Sequence, residues 1–169
     1  MLVLQEINII KYNKNMLDIE DFKKKLHKKS RLMGIDPGGK RVGIAICDEN
    51  KIVATPYTTI IKNKYSDFIK EIKKIVDENQ IKGIVIGNPI NMDGSPSQSS
   101  QSAKDLAINL SKDITENITL WDERLSSQGA FNLSNELRSN TSNKVRKLDE
   151  NSAQFILQGA LDYFTKENT

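Results

Sequence analysis

Two apolar runs, Leu32 to Asp36 and Val42 to Cys47, are joined by Pro37-Gly38-Gly39 and the cations Lys40 and Arg41. An apolar strand that ends in Asp and reverses through prolyl and glycyl turn chemistry has one easy continuation, an antiparallel neighbour. Ile52 to Ile60 follows the Asp48-Glu49-Asn50 turn and extends this pair to a three-strand meander. Beyond it the period lengthens. Phe68, Ile69, Ile72, Ile75 and Val76 predict a helix over 64–79, and Gly83 to Gly87 a buried strand.

The segment Asn88 to Ser100 holds Pro89, Gly94, Pro96 and several serines, so it reads as a long, candidate mobile loop. Ala103, Leu106, Ala107 and Leu110 mark the next helix and Ile118 to Trp121 the last strand. Ala130, Leu133 and Leu137 mark a further helix. After the polar and basic stretch from Ser139 to Lys147, the final helix carries a continuous stripe from Ala153 through Ile156, Leu157, Ala160 and Leu161 to Phe164. A meander followed by alternating helix and strand predicts an α/β chain with a mixed sheet and helices on its faces.

With 169 residues, one well-filled core is expected, over 31–169. Residues 1–30 read as an N-terminal extension. Within it Asp18 to Lys29 predicts a short amphipathic helix with Ile19, Phe22 and Leu26 on one face, and the extension as a whole is expected to be a partly ordered, solvated arm. No apolar run approaches the roughly 20 residues needed to span a bilayer. The N-terminal stretch also lacks the apolar core of a secretory signal, so a cytoplasmic location is expected.

Cys47 and His27 are the single residues of their kinds, which excludes an intrachain disulfide and a cysteine zinc cage. A bound metal would therefore take oxygen ligands, as Mg²⁺ or Mn²⁺ does. The net charge is +3, but residues 31–169 carry equal numbers of basic and acidic residues. A nucleic-acid-binding face must come from local clustering and not from bulk charge.

Acids stand at three element ends. Asp36 closes the first strand, Asp122-Glu123 closes the last, and Asp149 precedes the final apolar stripe. Each has an ordinary alternative: a turn residue, an exposed strand-end pair, and a helix N-cap. Since adjacent strand residues face opposite ways, only one of Asp122 and Glu123 can join a shared site, and Glu123 is preferred. Converging carboxylates repel unless cations lie between them, so such a cluster implies divalent metal and phosphodiester hydrolysis. Lys40, Arg41, Arg124, Arg146 and Lys147 flank the acids in sequence and are candidates to bind a phosphate backbone, or else ordinary surface charges.

Four blocks in this order resemble a known family. They are Gly34-Ile35-Asp36 through Ala45; Gly87-Asn88-Pro89 with Asn91-Met92-Asp93-Gly94-Ser95; Asp122-Glu123-Arg124-Leu125-Ser126; and Asp149 followed by Ser152-Ala153 and Ile156-Leu157-Gln158. Over 31–165 the chain is similar to the YqgF-type proteins, described as pre-16S rRNA nucleases and earlier as Holliday junction resolvases. The resemblance implies an RNase H-like fold, an antiparallel three-strand meander plus two parallel strands flanked by helices. It also implies Asp36, Glu123 and Asp149 as catalytic and metal-binding acids, and a cytoplasmic role in maturing the 5′ end of the small-subunit rRNA. Asp48 and Asp93 match further acids of the pattern, and turn or loop duties are expected of them first. Ser152-Ala153 stands where two alanines are common in the family.

A ribosomal RNA precursor is favoured over branched DNA as the partner. Two other readings stay open, a Holliday junction resolvase and a non-catalytic RNA-binding ribosome-assembly module. The Gly-Ile-Asp pattern also opens the actin-like ATPase and sugar kinase fold, but that fold needs two lobes, more than 169 residues supply.

Overall fold

The computed structural model describes residues 14–125 and 142–166, with side chains from 149 onward in the second segment. The expected helix around Ala130, Leu133 and Leu137 lies outside the described residues. Strands β1 (Arg31–Asp36), β2 (Arg41–Cys47) and β3 (Ala54–Ile61) form the meander, and β4 (Ile81–Asn88) and β5 (Asn117–Asp122) continue the sheet. The order is β3-β2-β1-β4-β5, antiparallel across β1, β2 and β3 and parallel from β1 through β4 to β5. This is the mixed sheet that the periodicities predict.

Helices α2 (Tyr65–Glu78) and α3 (Gln98–Asp113) cover one face, and α4 (Ser142–Lys166) covers the other. Strand alternation splits the core accordingly. Met33 and Ile35 pack toward α2 and α3, whereas Leu32 and its alternates pack toward α4.

Three expectations need correction. The predicted strand from Ile52 starts two residues later, at Ala54, because Asp48 turns the chain: its carboxylate accepts from the backbone N–H groups of Asn50, Ile52 and Val53. The predicted loop to Ser100 ends at Ser97, whose hydroxyl accepts from Ser100 N and caps α3. Finally, α4 begins at Ser142, so Asp149 lies roughly two turns inside the helix and is not its N-cap.

The N-terminal segment also departs from expectation over residues 14–30. Helix α1 (Ile19–Lys24), capped by Asp18, is shorter than predicted and ends two residues before Leu26, which still packs against the core. Phe22 on this helix is 1% exposed and stacks on Phe164 with ring centroids 5.9 Å apart. Asn15 O accepts from Ile118 N at 2.7 Å and Leu17 N donates to Ile118 O at 2.9 Å, adding backbone pairing along β5. Burial of Phe22 and these bonds make 14–30 part of the domain, not a solvated arm. Among the described residues, no helix is long and apolar enough to cross a membrane.

Candidate active site

Asp36 is the last residue of β1, and its two sheet neighbours are glycines. Across β2 it pairs with Gly43, and the parallel register Ile35 with Ile86 brings it level with Gly87 of β4. Gly34, two residues earlier, lies against Leu157 and Ala153 of α4, so alternation directs Asp36 to the α4 face.

Both glycines serve as seats on that face. A Cβ added at Gly43 would fall 1.9 Å from the carbonyl oxygen of Asp149, so the helix backbone rests directly on β2 there. A Cβ at Gly87 would fall 2.6 Å from Glu123 Oε1, so the Glu123 carboxylate folds back over β4. Glu123 and Asp149 thus flank Asp36 on the α4 side of one sheet end. All three side chains are half-buried.

Asp122 is drawn elsewhere. It pairs with Asn88 at the end of the strand, and Arg124 holds its carboxylate with both Nε and Nη2, the closest contact being 2.7 Å. Charge-assisted contacts in this fork geometry are the strong kind. The Arg124 guanidinium keeps the Asp122 carboxyl below the usual carboxylate range. A carboxyl depressed in the folded state stabilises at neutral pH, and that contribution is lost as the pH falls through its folded pKa. In Arg124→Gln we expect the Asp122 carboxyl, followed by NMR, to titrate at a higher pH than in the wild type. The stability deficit of the variant should be present at pH 7 and vanish in acid.

The loop carrying Asp93 reaches the same corner. Asp93 Oδ1 accepts from Ser95 N at 2.9 Å, a loop duty, and a Cβ on Gly94 would lie 3.5 Å from Arg124 Nη1. Of the predicted phosphate binders, Arg41 donates through Nε to Asp149 Oδ2 at 2.7 Å, Arg124 is held by Asp122, and Lys40 is exposed. The side chains of Arg146 and Lys147 lie outside the described residues.

The donor set is hard oxygen, which fits Mg²⁺ or Mn²⁺. Among the described residues, no three His, Cys, Asp or Glu side chains are gathered as a ready metal cage, and Asp149 is engaged by Arg41. Sequence reasoning missed this ion pair and the two glycine seats. The only local signal for the seats was that Gly43 and Gly87 sit inside strands, where glycine often marks a close approach.

A family model described as RuvX, Holliday junction resolvase, matches residues 30–163. The chain belongs to this family. A relative in Pelagibacter ubique named "Putative pre-16S rRNA nuclease" is 52% identical over 148 residues, covering 88% of this chain and 98% of that protein. One of the same name in Zymomonas mobilis is 34% identical, covering 95% of this chain and 96% of the relative. These matches establish the YqgF-type family to which the sequence blocks pointed. Among solved structures, RuvC of T. thermophilus in complex with Holliday junction substrate superposes with a TM-score of 0.55 at 8% identity, covering 82% of this chain and 97% of that one. At that identity the likeness concerns the fold, and this chain has the RNase H-like fold of RuvC.

Proposed function

We propose that this RuvX-family chain is a divalent-metal-dependent nuclease that hydrolyses phosphodiester bonds at the 5′ end of pre-16S rRNA in the cytoplasm. Asp36, Glu123 and Asp149 are its catalytic acids. The observation that carries this reading is the pair of glycines beside Asp36, each supporting one of the other two acids on the same face of the sheet. The names of the relatives support the choice of substrate.

Mg²⁺ or Mn²⁺ held by the three carboxylates would activate a water and stabilise the leaving oxygen. The protein's own contribution is positional. Strand β1 holds Asp36 rigidly, α4 sets Asp149 against β2, and the turn after β5 returns Glu123 over β4. Lys40 and Arg41, which follow the turn after Asp36 in sequence, are assigned to the phosphate backbone, as are Arg124, Arg146 and Lys147.

Branched DNA is the second reading, favoured by the description of the family model. The test offers precursor 16S rRNA and a four-way DNA junction separately to the full chain, with Mg²⁺ or Mn²⁺ and with chelator. Metal-dependent trimming of the RNA 5′ end is the expected outcome. Preferential junction cutting would replace the rRNA assignment by a resolvase, and no cutting of either substrate would favour a binding module.

A further inference from the structure

Two arginines meet carboxylates at this end of the sheet, and they do so differently. Arg124 grips Asp122 with two nitrogens. Arg41 reaches Asp149 through Nε, while its Nη2 is buried with no hydrogen-bond partner among the described residues. A guanidinium presents its donors as a planar fork, and leaving a buried donor unsatisfied is costly. Asp149 thus uses only part of the Arg41 fork and leaves a donor for a further acceptor.

Arg41 is also the first residue of β2, directly after the turn that follows Asp36, and its backbone pairs with Ile61. The root of the side chain is therefore fixed, and only its outer part needs to move. Phosphate offers the planar fork the bidentate acceptor it lacks here. Asp149, meanwhile, cannot offer the same oxygen to a guanidinium and to a divalent cation without bringing two positive charges together.

We propose that Arg41 and a divalent cation compete for Asp149, and that Arg41, once released, turns its fork onto a phosphate of the nucleic acid. The phosphate half rests on the nuclease reading given above. The competition half rests only on the metal-binding role given there to Asp149.

Mn²⁺ binding to the full chain, measured by electron paramagnetic resonance without nucleic acid, tests the competition. Arg41→Gln is expected to bind Mn²⁺ roughly three- to tenfold more tightly than the wild type while cutting at least about a hundredfold more slowly. Lys40→Gln removes an equal charge from the same turn without touching the pair, and should change Mn²⁺ affinity less than about twofold. Equal or weaker Mn²⁺ binding in Arg41→Gln, or the same gain in Lys40→Gln, overturns the competition, as does a wild type that binds no Mn²⁺.

Should Arg41→Gln fail to fold, the wild type still decides the matter. The Arg41 Nε–H resonance should leave its carboxylate-bonded position as Mg²⁺ is added, and its persistence at saturating Mg²⁺ overturns the proposal. A wild type that binds Mn²⁺ and shows the exchange but cuts neither nucleic acid supports the competition while removing the nuclease reading.

Discussion

Asp36→Asn is expected to lower phosphodiester cleavage by roughly 10³-fold or more, with stability within about 1 kcal/mol of the wild type. Asp36 is the middle of the three acids, at the end of a central strand and between the two glycine seats. Asparagine keeps its shape but removes the charge that a divalent cation needs, so the fold should survive while the chemistry is lost. Removing one of several converging negative charges also relieves repulsion, which argues against any large destabilisation. Cleavage of end-labelled precursor rRNA, read beside urea unfolding of the same samples, checks both halves. A variant that folds and cuts at the wild-type rate would remove Asp36 from the site.

The second large effect is expected from a residue with no side chain. Gly43→Ala places a methyl group 1.9 Å from the carbonyl oxygen of Asp149, and that neighbour is backbone, which has no rotamer to turn away. Helix α4 must lift from β2, carrying Asp149 with it. The expected cost is about 2–3 kcal/mol of stability, from overpacking, together with a loss of cleavage of about a hundredfold or more from misplacing an acid. Gly39→Ala, where an added Cβ meets nothing within 4 Å, is the internal comparison and should be close to neutral. Gly87→Ala is expected to fall between them, since it meets the ends of the Glu123 and Ile156 side chains, which can move. Thermal unfolding and cleavage assays on the three variants give the ranking. Equal behaviour of Gly43→Ala and Gly39→Ala would show that the helix does not depend on that seat.

Much of the site was legible because strand ends are local events. An apolar run stops, an acid follows, and a turn begins at Asp36; the same reading works at Asp122-Glu123. Alternation was expected to part Asp122 from Glu123, but β5 ends at Asp122 and it is the 3-10 turn Glu123–Leu125 that separates them: Asp122 goes to Arg124 while Glu123 lies over Gly87. Asp149 was harder. Its position before an apolar stripe looks like a helix start, yet the helix runs back to Ser142 through residues too polar to show a period. The buried face of the N-terminal helix was visible in Ile19, Phe22 and Leu26, but nothing near them in sequence revealed Phe164 as the partner.

The sequence by itself determined the kinds of elements, their order, the acids Asp36 and Asp122 that end their strands and the family to which the chain belongs, because side-chain period and turn chemistry act between near neighbours. Only the tertiary structure decided which glycines carry the weight of α4, that residues 14–30 close onto the core, and that Arg41 meets Asp149, 108 positions away. Close approach and ion pairing depend on where distant segments cross, and no local pattern records a crossing.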